Sequence, residues 1–304
     1  MLMMEYNKGL TESNFYIDEF ATYLMSIDKS DSTIKTYIEH VQAFAKWFKE
    51  TNDINFDPIV VTEIDIRDMR SYLQGTRHLK ETTINLRLAS LKSYFEFLEG
   101  EKYIKNNPAK AIKKIKIQSP AVPKSLDEQT YRALRRHIYR GGNKAHIAMF
   151  EIFTRCGVRN FELINIRIAD IDITERKGNL KVIGKQNKVR HIPLHRDVRD
   201  AINNWMKIRK NIKTEHNNLF VSERKTPYTR SGIWKIFKKY CEQIGITDVT
   251  IHSFRHYFCR TLLRNGVDIS VVAKLAGHAS GYVTAQVYTI PRQEELEAAI
   301  ETLV

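Results

Sequence analysis

The sequence is poor in the residues and segments that cross-link a chain or anchor it in a membrane. Its 304 residues include only three cysteines, Cys156, Cys241 and Cys259. Because this number is odd and no Cys-x-x-Cys pair occurs, a disulfide framework and a zinc site are both disfavoured. No apolar run approaches the ~20 residues of a membrane helix, and "MLMMEYNKGL" lacks the pattern of a signal peptide. We therefore expect a soluble, cytoplasmic protein without a membrane partner.

Internal repeats and low-complexity tracts are also missing. No cluster of carboxylates with the character of a metal site is visible, and the apolar stripes of the first hundred residues carry no ligand set. We therefore expect neither a metal nor any other cofactor.

Positive charge, in contrast, is abundant and unevenly distributed. The net charge is +14, which favours a polyanionic partner, nucleic acid first. Residues 1–100 hold 11 Lys and Arg against 16 Asp and Glu, whereas residues 101–304 carry a net charge of +19. The basic character therefore belongs to the second part of the chain.

The first hundred residues have the periodicity of helices. Four segments place apolar residues at helical spacing, for example Ile34, Ile38, Val41 and Phe44 in "DSTIKTYIEHVQAFAKWFKE". "VTEIDIRDMRSYLQG" begins at a Thr cap and ends at a Gly. We predict a compact bundle of four or five helices over residues 1–107.

A proline-rich basic stretch follows and marks a domain boundary. Pro108, Pro120 and Pro123 interrupt any helix, and lysines crowd between them. We predict an extended linker over residues 108–124 that lies along a phosphate backbone. The DNA-binding candidates in it are Lys113, Lys114 and Lys116.

The second domain is predicted over residues 125–304. Helical segments surround three short alternating runs, "IRIADIDIT", "LKVIG" and "VRHIPL", which are joined by turns. This pattern predicts a small antiparallel meander. The fold class is therefore mainly α with a small antiparallel β-sheet.

The segment "IHSFRHYFCR" carries the first chemical signal. Thr250 can cap its helix, and Asn265-Gly266 can end it. His252 and Arg255 then share one face near the helix N-terminus, where backbone N–H groups also point outward. This arrangement suits an anion, most plainly a phosphate.

Further points of the second domain join that pair in a fixed order. "RCGVRNFELINI" places Arg159 at a helix start with Glu162 one turn on, and "VIGKQNKVRHIPL" places Lys185 at a hairpin tip. "LAGHASGYVTAQVYTI" places His278 after a helix and Tyr288 ten residues later. From residue 126 to 288, these ordered motifs resemble those of the tyrosine recombinases, the family that includes the phage integrases and the Xer-type recombinases.

The resemblance implies both an architecture and an activity. The N-terminal bundle would be the SAM-like core-binding domain, and the two domains would form a C-shaped clamp around duplex DNA. The activity would be site-specific recombination through a 3′-phosphotyrosyl link and a Holliday junction. Because residues 1–100 are net negative, basic residues such as Lys35 and Arg87 would have to be segregated on the DNA face.

The resemblance also implies a role for each motif residue. Arg159 and Arg255 would hold the non-bridging oxygens of the scissile phosphate, and His278 would donate a hydrogen bond to it. Tyr288 would be the nucleophile, with His252 handling its proton and Lys185 protonating the leaving 5′-oxygen. Glu162 would support the site without reacting.

Two alternatives stay open within this assignment. Lys188 is a rival to Lys185, and Tyr282 is a rival to Tyr288, since the spacing from His278 to Tyr288 is one residue longer than the commonest family spacing. Tyr257 is disfavoured, because its helical position points away from the face of His252 and Arg255.

The expected partners follow from the same resemblance. They are double-stranded DNA with paired inverted-repeat sites and further copies of the chain, as a homotetramer on two sites. The amphipathic segment "PRQEELEAAIETLV" would dock into a neighbouring subunit or pack on its own domain. Because the core-binding helices begin almost at once, we expect no added arm-site-binding domain and a Xer-like or resolution role. A silent DNA-binding regulator and a type IB topoisomerase are the alternative functions.

Overall fold

The computed structural model describes residues 15–117, 126–184 and 187–277. The chain forms two compact units, Met1–Pro120 and Ala121–Val304, and each has a hydrophobic core of its own. The division between them falls within the predicted linker, residues 108–124.

The regular structure of the first unit is helical throughout its described residues. Its described helices are α1 (Ile17–Ser26), α2 (Asp31–Asn52), α3 (Glu63–Gly75) and α4 (Glu81–Gly100). The predicted stripe of α2 is buried, with Ile34, Ile38, Val41 and Phe44 at most 2% exposed. This confirms that an amphipathic pattern at helical spacing places its apolar face in the core.

The start of α3 shows why the chain forms a helix there. Thr62 Oγ1 accepts a hydrogen bond from Asp65 N at 3.5 Å, and Asp65 Oδ2 accepts one from Thr62 N at 2.8 Å. These reciprocal bonds satisfy two of the N–H groups that a helix start leaves free. The predicted Thr cap is confirmed.

Residues 107–117, called here the basic segment, pack on the helices of the first unit. Asn85 of α4 brackets the backbone of Ile115, donating from Nδ2 to its carbonyl at 2.9 Å and accepting from its N–H at 2.8 Å. Ala109 is buried, and Ile112 and Ile115 pack on the core. The described part of the predicted linker is therefore anchored to the bundle.

The other described elements of the second unit pack around one central, buried helix. Between α5 (Glu128–Arg140) and α7 (Asn160–Asn165), α6 (Lys144–Cys156) is buried at nearly every position. It packs against α8 (Arg196–Arg209) and α10 (Ile251–Arg264). The remaining described helices are α9 (Arg230–Glu242) and α11 (Ile269–Ala276).

A three-stranded antiparallel sheet, in the order β1-β2-β3, completes the described part of the second unit. Its strands are β1 (Ile171–Ile173), β2 (Gly178–Ile183) and β3 (Val189–Pro193), and Val182 pairs with Arg190 across β2 and β3. The predicted meander is confirmed. The first strand is shorter than "IRIADIDIT", because Asp170 accepts a hydrogen bond from Arg167 N at 2.9 Å and closes a 3₁₀ turn over Ile168–Asp170.

Helix α10 begins and ends as the sequence predicts. Thr250 N donates to Ser253 Oγ at 3.1 Å at its start, and Gly266 takes a left-handed φ of 77° just after its end. In the described ranges, no helix combines the length and the apolar character that crossing a lipid bilayer requires.

Candidate active site

A sharp turn between α6 and α7 sets the position of Arg159. Gly157 ends α6 with a left-handed φ of 60°. A Cβ at this glycine would lie 2.2 Å from a ring carbon of Phe258, so the turn can approach α10 only without a side chain. Arg159 then occupies the cap position of α7, with its side chain 30% exposed.

Glu162 holds Arg159 from beneath. Its carboxylate accepts from Arg159 N at 2.7 Å and from Arg159 Nη1 at 3.0 Å, and its side chain is fully buried. The helix dipole disfavours a positive charge at a helix start, but Glu162 supplies the opposite charge within the first turn and so stabilises Arg159 there. Burial pushes the pKa of Glu162 upward, but hydrogen bonds and charge from Arg190, then Arg159, outweigh it and leave the pKa below normal.

Helix α10 brings the second arginine to the same turn. Arg255 is 5% exposed, and its Nη1 donates to the carbonyl of Gly157. Gly157 lies two residues before Arg159 in the same short turn. The hydrogen bond to the Gly157 carbonyl therefore holds the Arg255 side chain next to the backbone that carries Arg159. The structure therefore brings Arg255 to the turn that holds Arg159 and Glu162, although it lies far from them in sequence.

His252 lies on the solvent-facing side of α10, beside both arginines. Desolvation by the surrounding protein, then the charges of Arg255 and Arg159, lower its pKa below the ordinary value of 6.5. The positive charges of both guanidiniums therefore disfavour the protonated form of His252. A neutral imidazole next to two cations can accept a proton at neutral pH.

The β2–β3 hairpin carries the lysine candidates. Gly184 N donates to the carbonyl of Lys188 at 2.8 Å, which closes the loop between the strands. Lys188 is described and exposed. Lys185 lies in this loop but outside the described residues, as do His278, Tyr282 and Tyr288, so their places in the site stay predictions.

Tyr257 is engaged away from this site. Its hydroxyl donates to Glu128 Oε2 at 2.8 Å, and its ring stacks on Tyr131 at 4.2 Å between centroids. Burial, then that hydrogen bond, raises the pKa of Tyr257, so its phenolate form is disfavoured. The geometry agrees with its low rank among the candidate nucleophiles.

Arg190 of β3 is a site residue that sequence reasoning missed. Its Nη1 and Nη2 donate to the two oxygens of Glu162, each at 2.8 Å, and its Nε donates to the carbonyl of Leu275 at 2.9 Å. A signal was present in "VRHIP". The alternation of a strand places residue 190 on the same face as Ile192, which is buried.

The DNA-binding candidates of the first unit differ in exposure. Lys35, Lys113, Lys114 and Lys116 are exposed. Arg87, in contrast, is half-buried, and its Nε is shielded from solvent. The pKa of His40 is lowered first by burial of the His40 ring and then by the positive charge of Arg87. The four lysines are therefore accessible to a ligand, and Arg87 is the most enclosed of these five candidates.

Known family patterns match both units. The pattern of the Phage integrase family covers residues 124–295, and that of the phage integrase N-terminal SAM-like domain covers residues 17–102. A curated relative, tyrosine recombinase XerC of Pediococcus pentosaceus, is 30% identical over 88% of this chain and 90% of its own length.

Solved structures share the fold. XerH recombinase bound to a palindromic difH substrate, in a post-cleavage complex, superposes with a TM-score of 0.75 at 17% identity, covering 95% of each chain. A lambda integrase tetramer bound to a Holliday junction gives a TM-score of 0.70 at 18% identity, covering 90% of this chain and 76% of that one.

Proposed function

The chain belongs to the phage integrase family of tyrosine recombinases, and we propose that it cleaves and rejoins DNA at specific sites through a 3′-phosphotyrosyl intermediate and a Holliday junction. One observation carries this proposal onto the residues. The turn after α6 and the start of α10 bring Arg159, Arg255 and a neutral His252 together, with Glu162 beneath them.

Arg159 and Arg255 would hold the two non-bridging oxygens of the scissile phosphate. Guanidinium suits this task because it is permanently charged and its N–H fork matches a pair of phosphate oxygens. Both side chains are fixed from behind, Arg159 by Glu162 and Arg255 by the Gly157 carbonyl. Charges held in place before the reaction stabilise a transition state without reorganising.

The proton transfers would use residues on either side of the phosphate. Tyr288 Oη attacks phosphorus and its proton passes to His252, while Lys185 gives a proton to the departing 5′-oxygen. His278 donates a hydrogen bond to the phosphate. His252 supports this scheme because its lowered pKa leaves it neutral and able to accept that proton.

The partners would be double-stranded DNA and further copies of the chain. We propose that the two units clamp a duplex, that the site contains paired inverted repeats, and that a homotetramer joins two sites in the cytoplasm at the nucleoid. The exposed Lys113, Lys114 and Lys116 support DNA contact by the basic segment. Residues 291–304 would dock into a neighbouring copy.

The test is covalent capture on a suicide substrate, a nicked DNA from which cleavage releases a short fragment with a free 5′-hydroxyl that diffuses away and cannot be rejoined. Wild-type protein should give a DNA-linked band on a denaturing gel. Tyr288→Phe should bind the same DNA and give none, while Tyr282→Phe, the matched control, should retain the band. Loss in Tyr282→Phe with retention in Tyr288→Phe would move the nucleophile to Tyr282. Binding without any covalent product from wild type would instead indicate a silent regulator.

A further inference from the structure

Arg190 lies between three pieces of backbone that meet at the candidate active site. It sits on β3, two residues after Lys188 in the hairpin loop. Its fork bonds Glu162 of α7, and its Nε bonds the Leu275 carbonyl in the last turn of α11. Its side chain is only 11% exposed. An arginine that is this buried is not accessible to a ligand, and its hydrogen bonds go to Glu162 and the Leu275 carbonyl instead.

The end of α11 is fitted to Arg190. Gly277 takes a left-handed φ of 66°, and a Cβ there would lie 2.8 Å from Arg190 Nη1. The carbonyl of the same glycine accepts from Arg159 Nη2 at 3.0 Å. The glycine therefore lets the backbone that leads to residue 278 contact both arginines.

The two arginines share one carboxylate unequally. Arg190 takes both oxygens of Glu162 at 2.8 Å, whereas the Arg159 side chain reaches only Oε1, at 3.0 Å. Bidentate pairing is the strongest mode of arginine–carboxylate contact, so most of the negative charge of Glu162 is directed to Arg190. Arg159 keeps a more exposed guanidinium, 30% against 11%.

We propose that Arg190 is a positioning residue that occupies Glu162 and so keeps Arg159 extended toward the scissile phosphate. This inference rests on the proposed function of Arg159. Without Arg190, the buried carboxylate has one cation left to pair with, and Arg159 turns back to form the bidentate pair itself. The guanidinium then leaves the place where the phosphate needs it.

A simple supporting role predicts a different pattern of variants. If Arg190 only braces α11 and the hairpin, then removing Glu162 as well must add damage. If Arg190 acts by competing for Glu162, then removing the carboxylate charge releases Arg159 again. Glutamine suits this purpose, because its carbonyl can still accept from Arg159 N while carrying no charge.

The experiment compares wild type with Arg190→Met, Glu162→Gln, the double variant and Arg196→Met. Arg196 is an 81% exposed arginine of α8 and serves as the control for the arginine-to-methionine change. Single-turnover cleavage of a suicide substrate is measured at saturating DNA, with gel-shift affinity and thermal unfolding recorded for each variant. Arg190→Met should cleave about 100-fold more slowly, the effect expected of a misplaced catalytic group, with little change in DNA affinity.

The double variant decides the matter. It should cleave at least about tenfold faster than Arg190→Met, since the neutral amide introduced by Glu162→Gln no longer competes for Arg159. A double variant as slow as Arg190→Met, or slower, overturns the proposal, as does an Arg190→Met that cleaves normally. If Arg190→Met does not fold, Arg190→Lys replaces it, because lysine keeps a charge but cannot form the fork. Wild type without covalent product would refute the proposed function itself, and this inference with it.

Discussion

At the scale of single residues, the candidate site carries an excess of positive charge. Among the described residues that meet there, the guanidiniums of Arg159 and Arg190 both pair with the carboxylate of Glu162, and Arg255 adds a third positive charge at the Gly157 carbonyl. A buried cluster of like charges is costly without a counter-ion. A phosphodiester would supply the missing negative charge. The excess positive charge that destabilises the free protein therefore favours binding of the DNA phosphate to be cleaved.

The hairpin lysine is expected to act on the leaving group. Lys185→Ala should slow cleavage by about 100-fold or more at nearly unchanged DNA affinity, because a general acid typically contributes ~10² to 10⁴-fold in rate. A substrate with a 5′-bridging phosphorothiolate has a leaving group that needs no proton, and it should restore the rate.

Lys188→Ala is the matched control, since this exposed lysine lies in the same loop. It should cleave both substrates normally. Failure of the phosphorothiolate to restore Lys185→Ala, together with a rescued Lys188→Ala, would transfer the role of general acid to Lys188.

At the scale of elements, the basic segment depends on one side chain. Asn85→Ala removes both hydrogen bonds that hold Ile115 against α4, which should lower the free energy of unfolding of the first unit by about 1–3 kcal/mol. Urea denaturation, followed by a probe in the first unit, measures this loss. Asn52→Ala is the control, because Asn52 makes one bond at the end of α2, to the Phe48 carbonyl.

The same variant should weaken DNA binding if the anchored segment presents its lysines to a phosphate backbone. Freed residues must be ordered again on the DNA, which adds an entropic cost to binding. Unchanged affinity in Asn85→Ala, despite lower stability, would show that the segment does not contact DNA in a fixed conformation.

The elements also show which structural features a sequence reveals. Periodicity predicted the described helices and the meander, because burial of one face imposes a spacing on apolar residues. The order of motifs predicted that Arg159, Glu162, His252 and Arg255 belong together, and the structure brings them together. Arg190 escaped because its partners, Glu162 and Leu275, lie 28 and 85 residues away. The anchoring of Ile115 by Asn85 escaped for the same reason, since such contacts leave no local pattern.

At the scale of the whole molecule, charge is divided between its parts. Residues 1–100 are net negative and residues 101–304 carry +19, so attraction to DNA resides mainly in the second unit and the basic segment. Each phosphate contact releases bound counter-ions and adds to the salt dependence of binding. The helical bundle of the first unit would then contribute position more than affinity.

The last fourteen residues are expected to join copies of the chain. "PRQEELEAAIETLV", which lies outside the described residues, has an apolar stripe that must be buried somewhere and an acidic outer face. The second unit has an open cavity of about 820 Å³, lined in part by Tyr257, Leu262 and Leu275 and by the cations Arg155 and Arg264. Its lining combines apolar side chains with these two arginines, beside the carboxylate of Glu128. Apolar and cationic groups together suit such a helix, so we expect residues 291–304 of one copy to dock at this cavity in another.

Deletion of residues 291–304 should therefore spare binding of one protomer to a half-site and abolish the complex of two protomers on a full site. Cleavage should fall with assembly, because Tyr288 lies three residues before the deleted segment and partner contact would help to position it. Gel shifts on half and full sites, beside a covalent-capture assay, measure both effects. Leu262→Asp, which places a charge in the cavity, should reproduce the loss of assembly. Normal two-protomer complexes and normal cleavage by the truncated protein would rule out docking in trans, whereas loss of half-site binding or of soluble protein would indicate packing on its own domain.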